Sequence, residues 1–190
     1  KAIPNVVVDI FDERDKPVKL GEVGEIVVKG ENVMVGYYKH PEETNNVKRN
    51  GWLHTGDIGK FDNEGYLYIV GRIKNMIVLS GGKKVFPEEV EAVLEKSPYF
   101  SEVCVLGVSK TFGVKDGAEE ITAVIVPSQD IYEKYDWHTV EKLIKNEVKK
   151  LSLQLTAYKR PINIIVRKEP LPRTTTRKVK RREVKEFVNA

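Results

Sequence analysis

The sequence has 190 residues, enough to bury the core of one large domain or two small ones. It is 41% hydrophobic and 32% charged, has no apolar run near the ~18 residues of a membrane span, and has one cysteine, which excludes an internal disulfide. Its net charge of +4 is uneven: residues 1–70 carry 9 Lys and Arg against 12 Asp and Glu, a net −3, which leaves 23 against 16, a net +7, for residues 71–190. The change of sign at Gly71 supports a domain boundary there. A basic second part suits an anionic partner: phosphate groups, nucleic acid or an anionic membrane.

In chain order, Val6–Phe11 reads as a strand, followed by a polar turn at Asp12–Pro17. Gly24–Gly30 and Val33–Tyr38 read as two more strands, the latter interrupted at Gly36. Pro41 suits the first position of a short helix, and the acids after it suit its N-terminus. Trp52–Asp57 and Tyr66–Val70 complete a β-rich unit with the spacing of a small barrel or sandwich.

The pattern then changes to α+β. Met76–Leu79 is strand-like, Gly81-Gly82 is a turn, and Pro87 opens a helix reaching about Lys96, with Val90, Val93 and Leu94 on one side. Glu102–Val108 is a strand that holds Cys104, a core residue. Glu120–Val126 is apolar on both faces, which predicts a central strand. Asp136 is an N-cap for a helix to about Leu151. Ile162–Arg167 is a third strand, and Val184, Phe187 and Val188 mark a last short helix. A three-stranded sheet covered by helices accounts for this half.

Three stretches carry chemistry: Trp52–Asp57, Gly71–Gly82 and Leu171–Lys180. In and just beyond the last, Arg173, Arg177, Lys178, Lys180, Arg181, Arg182 and Lys185 lie near a single acid, Glu183. Such a run reads as a solvated tail, as a nucleic-acid contact, or as a loop that carries one lysine to a developing phosphate charge. It is short and has no interleaved aromatics, which argues against nucleic acid.

These pieces, in this order, resemble the carboxyl-terminal third of the AMP-forming acyl-CoA synthetases of the adenylate-forming superfamily. Gly24–Tyr37 (GEIVVKGENVMVGY), Gly51–Asp57 (GWLHTGD), Gly71–Glu91 (GRIKNMIVLSGGKKVFPEEVE) and Leu171–Arg181 (LPRTTTRKVKR) each resemble a family motif. Among relatives, long-chain fatty acid–CoA ligases look most similar. One departure stands out: the glycine that commonly precedes the family lysine is Arg177 here.

The resemblance implies a β-rich, barrel-like subdomain at 1–70 that ends an amino-terminal portion, a hinge at 71–75, and a mobile α+β lid at 76–190. It implies that Asp57 holds the ribose hydroxyls of ATP and that Arg72 contacts the ribose and phosphate region. Lys74 would be the pivot, and Gly81 and Gly82 would border the pantetheine arm of CoA. Lys178 would bridge the substrate carboxylate and the α-phosphate. Trp52 and His54 are given structural roles, and no metal-ligating set is assigned. No stretch resembles the family's phosphate loop, which in a complete enzyme helps to hold Mg²⁺ and ATP, and the acyl pocket is not expected here either. The chain is therefore expected to be a fragment, inactive alone, of an ATP-dependent fatty acid–CoA ligase. Its partners would be a carboxylate, ATP, CoA and the amino-terminal portion, with no nucleic acid. Its location would be cytoplasmic, with peripheral membrane association as a further option. The alternatives are transfer of the acyl group to a carrier protein, or a basic non-enzymatic module for nucleic acid or membrane.

Overall fold

The computed structural model describes residues 1–109 and 118–189. The chain divides into two compact units, Lys1–Lys74 and Asn75–Ala190.

The first unit is one sheet. Strands β1 (Val6–Phe11) and β2 (Gly24–Gly30) pair antiparallel, and β2 pairs with the long β4 (Trp52–Phe61). The far edge of β4 is shared by two strands. β3 (Lys48–Arg49) pairs with its start, and β5 (Leu67–Arg72) with its end. One strand can serve two partners because its pairing is interrupted: register shifts fall between Glu25 and Val27 and between Ile58 and Gly59. Such bulges add twist and bend a sheet. Ile10, Phe11, Ile26, Val27 and Ile58 are buried in it, and because neighbours along a strand point to opposite faces they lie on both sides of the sheet. Trp52 packs edge-on against Phe11, ring centroids 5.2 Å apart, in the structural role expected of it.

Val33–Tyr38 is not a strand. Its backbone finds partners in α1 (Pro41–Val47) and the residue after it. The Thr44 hydroxyl accepts from Tyr37 N at 2.9 Å, and Lys48 Nζ donates to the carbonyls of Met34 and Val35. A Cβ on Gly36 would meet the Thr44 side chain at 2.7 Å, so this glycine allows close packing of the loop on the helix.

The second unit begins with a small hairpin, β6 (Ile77–Val78) and β7 (Lys84–Val85), which leads into α2 (Pro87–Leu94). Its sheet has the order β10-β9-β8, from β8 (Phe100–Ser109), β9 (Glu119–Pro127) and β10 (Asn163–Val166). β8 runs antiparallel to β9 and β10 runs parallel to it. The parallel return needs a crossover, which α3 (Gln129–Tyr132) and α4 (Trp137–Ser152) supply. Asp136 caps α4 by accepting from Thr139 N at 3.1 Å.

β9 is central and buried on both faces, as its sequence predicts. Ile121, Ala123 and Ile125 join Val90 and Leu94 of α2 and Val140, Ile144 and Val148 of α4 in one core. Val124 and Val126 join Cys104, Leu106 and Val184 in the other, under α5 (Arg181–Val188). Burial pushes the Cys104 thiol up to about 12, in keeping with a core residue. Among the described residues no helix is long and apolar enough to cross a membrane.

Candidate functional site

Asp57 and Arg72 face each other across β4 and β5. Arg72 Nε donates to Asp57 Oδ1 at 2.6 Å, and both side chains stay partly exposed. Asp57 ends a bulge. Val27 pairs with His54 and Glu25 with Ile58, so β4 carries Thr55, Gly56 and Asp57 opposite Ile26 alone. The bulge takes Asp57 out of the β2 ladder while it still pairs with Arg72 of β5, and leaves a carboxylate beside a guanidinium at the sheet surface. That pair can accept from adjacent hydroxyls and donate to an anion.

Lys74 lies in a 3₁₀ turn, Ile73–Asn75, and is the last residue of the first unit. The turn residue Asn75 is tied to α2, its Nδ2 donating to Glu88 Oε1 at 2.7 Å.

Gly81 and Gly82 form the tip of the β6–β7 hairpin. Gly82 N donates to Leu79 O, and Leu79 N to Lys83 O. Gly81 has φ +89° and Gly82 φ +77°, with open space where a Cβ would be. Conformation demands glycine here, and the bare tip can let an extended ligand pass close to the backbone.

Lys178 is on a second tight hairpin. Arg173 and Val179 form a bridge, Lys180 N donates to Pro172 O, Arg177 N to Thr174 O, and Thr174 N to Lys178 O. This is a four-residue turn with a left-handed residue added after its second central position, a place that favours glycine. Arg177 fills it at φ +63°. The sequence departure noted at this position is thus a backbone strain in the folded chain. Lys178 lines a cavity of about 570 Å³ together with Glu95, Phe100, Glu102, Arg173 and Arg177.

Two acids that sequence reasoning did not single out hold this loop. Glu102 accepts from Leu171 N at 2.6 Å and from Arg173 Nε at 3.0 Å, and Arg173 Nη1 donates to Arg177 O. Glu91, buried, accepts both Nη atoms of Arg181 at 2.6 Å and Val105 N at 2.7 Å. Burial of Arg181 works against its charge; the hydrogen bonds and charge of Glu91 outweigh this and raise its pKa above the ordinary value. The links span 69 and 90 positions of sequence, so only the fold brings them together.

The two loops of the second unit lie at opposite ends of its sheet. The Lys178 hairpin sits by the start of β8, where Glu102 pairs with Val126. The glycine hairpin sits by the start of β9: Val78 N donates to Glu119, and Leu79, Ser80 and Lys83 line a cavity of about 320 Å³ with Glu119 and Tyr158. Glu119 to Val126 along β9 corresponds to roughly 20 Å at about 3.3 Å per residue.

Residues 89–178 match the family described as the AMP-binding enzyme C-terminal domain. The second unit carries an AMP-binding enzyme C-terminal domain over these residues. It is 47% identical over 119 residues to the medium/long-chain-fatty-acid–CoA ligase FadD8 of Mycobacterium tuberculosis, covering 63% of this chain and 20% of that protein. It is 36% identical over 184 residues to a long-chain-fatty-acid–CoA ligase of Escherichia coli, covering 97% of this chain and 30% of that one. An indoleacetate–CoA ligase of Aromatoleum aromaticum is 35% identical over 189 residues, covering 99% of this chain and 34% of the relative. Among solved structures, ATP-bound MatB from Rhodopseudomonas palustris superposes with a TM-score of 0.80 at 34% identity, covering 98% of this chain and 34% of that one. The chain thus spans between a fifth and about a third of the length of these relatives. The match reaches Lys178; the glycine hairpin lies before it in the second unit, and the Asp57–Arg72 pair lies in the first unit.

Proposed function

We propose that this chain supplies the nucleotide-binding strand pair, the pivot and the lid of an AMP-forming acid–CoA ligase. In the first step a substrate carboxylate attacks the α-phosphate of ATP, giving acyl-AMP and releasing pyrophosphate. In the second, the CoA thiol attacks the acyl carbon, forming the thioester and releasing AMP. Asp57 accepts from the ribose hydroxyls and Arg72 steadies the ribose and phosphate region. Lys178 bridges the carboxylate and the α-phosphate, where negative charge builds during the first step. Gly81 and Gly82 flank the pantetheine arm in the second. Mg²⁺ in the complete site would neutralise phosphate charge; its ligands are sought in the amino-terminal portion.

The observation that carries this reading is the separation of the two hairpins. A lid with Lys178 at one end of a sheet and a bare glycine tip at the other cannot offer both to one reaction centre at once. Two steps sharing one pocket therefore call for two lid orientations, with backbone rotation at Lys74 between them. The substrate is proposed to be a long-chain fatty acid, on the similarity to the M. tuberculosis and E. coli ligases.

The test is acid-dependent release of pyrophosphate and then AMP by the ligase carrying this chain, with a long-chain fatty acid, indoleacetate and 2-succinylbenzoate compared, and with free CoA against a carrier protein as acceptor. A preference for the fatty acid and CoA is expected. Preference for an aromatic acid would overturn the substrate, preference for the carrier protein the acceptor, and the absence of acid-dependent pyrophosphate release the ligase itself. The 190-residue chain by itself is expected to give no ATP–pyrophosphate exchange.

A further inference from the structure

We infer that Glu25 is a positioning residue: its carboxylate, oriented by the buried His54, fixes the Thr55–Asp57 bulge and so the placement of Asp57. The functional consequence rests on the ribose-binding role proposed for Asp57; the structural claim does not.

The bulge has a hydrogen-bonding deficit. Opposite Ile26 alone, β4 carries Thr55, Gly56 and Asp57, whose amides the β2 ladder cannot all accept. Side chains make up the difference. Gly56 N donates to Glu25 Oε1 at 3.0 Å, Asp57 N donates to Thr55 Oγ1 at 3.1 Å, and Thr55 Oγ1 donates to Ile26 O at 2.8 Å. Gly56 itself has φ +72° and no atom within 4 Å of where its Cβ would be, so neighbours do not pin it sterically. The Glu25 carboxylate is its anchor.

Glu25 is in turn held. His54 Nδ1 lies 2.8 Å from Glu25 Oε2 and 2.9 Å from Arg49 Nη2, and His54 is only 6% exposed. Its other ring nitrogen faces Asp15 Oδ1 at 3.9 Å, and Arg49 Nη2 lies 3.1 Å from Asp15 Oδ1 and 3.9 Å from Glu25 Oε2. A buried imidazole set between two carboxylates and backed by a guanidinium fixes the orientation of both acids. Charge-assisted acceptance by Glu25 is stronger than a neutral bond would be, which suits a carboxylate set to hold one backbone amide. The chain from His54 through Glu25 to Gly56 ends one residue before Asp57.

The experiment uses the 190-residue chain and the ligase carrying it. In the chain, amide hydrogen exchange is read residue by residue for wild type, Glu25→Ala and Glu25→Gln. In Glu25→Ala, exchange at Gly56 should rise about tenfold or more, while Val27 and Leu53 in the flanking ladder keep their protection. Glu25→Gln retains an oxygen acceptor and should restore most of the protection. In the ligase, Glu25→Ala should raise the KM for ATP about tenfold with kcat within about threefold, and Gln should recover most of it. Unchanged Gly56 exchange in Glu25→Ala would overturn the inference. So would equal loss of protection across the whole sheet, or a Gln variant as impaired as Ala. Should Glu25→Ala not fold, Gly56 exchange in Glu25→Gln and His54→Phe decides: faster exchange confined to Gly56 and Asp57 in His54→Phe supports the inference, and unchanged exchange there overturns it. Asp57→Ala separates the two claims: normal ATP affinity in that variant would remove the ribose role and leave the exchange result standing.

Discussion

Arg177→Gly should stabilise the second unit, and the expected size follows from the backbone. Arg177 holds φ +63° in the Lys178 hairpin. A side-chain-bearing residue in the left-handed region costs about 1–2 kcal/mol. Glycine removes that cost and adds roughly 0.5–1 kcal/mol of unfolded-state entropy. The net gain is about 0.5–1 kcal/mol, or about 2–4 °C in Tm for a unit of this size. Little else is lost, since the hydrogen bonds of Arg177 in the turn are made by its backbone: N to Thr174 O, and O from Arg173 Nη1. The assay is calorimetric or urea unfolding of the chain, with Arg177→Ala as the control for charge. Alanine keeps the strain and should not gain. If Gly and Ala variants had equal stability, or Gly were the less stable, the strain would not exist and the argument from φ would fail. In the ligase, both variants also remove a cation beside Lys178, so a fall in adenylation common to both would report charge, and a difference between them the loop backbone.

Lys178→Ala in the ligase should slow adenylation by about two to three orders of magnitude, while thioester formation from supplied acyl-AMP changes far less; equal loss in both half-reactions would make Lys178 structural. Lys74→Pro should keep pyrophosphate release and lose thioester formation by orders of magnitude, whereas Lys74→Ala keeps most of both, read by single-turnover kinetics of each step. If the two variants behaved alike, the pivot would lie elsewhere. The Cys104 thiol gives a pH dependence. Its folded pKa of about 12 stands above the ordinary value, so its contribution is fully present below about pH 9 and is lost as pH rises toward 12. Between these limits the unfolded state gives up the proton first, and this group should cost up to about 1.4 kcal/mol per pH unit. The measurement is the difference in urea midpoint between wild type and Cys104→Ala at pH 8 and pH 10; a constant difference would refute it.

Elements with a periodicity of their own were legible in the sequence. β9 alternates apolar residues on both faces and is central and buried. Asp136 caps α4 as its position before the apolar pattern indicates. Val33–Tyr38 misled because its apolar content looks like a strand, while Gly36 and the later Thr44 and Lys48 direct its backbone elsewhere. The motif residues Asp57 and Arg72 were found one at a time; their pairing across β4 and β5 depends on register. Glu25 and Glu91 fell within motif stretches and Glu102 in none, but nothing local gave any of them a role. Each is an unremarkable acid whose partner lies far along the chain, and a buried carboxylate is recognisable only once its donor is known.

The distance between the two hairpins bears on how the second unit can vary. The Lys178 hairpin is anchored through Glu102 and Glu91, and the glycine hairpin through Glu119. Helix α5 reaches both ends: its Arg181 binds Glu91 and its Lys185 binds Glu119. Substitutions without shared partners act additively on stability, whereas residues in one ion-pair network couple. Changes at one hairpin can therefore accumulate independently of the other only while α5 keeps its place.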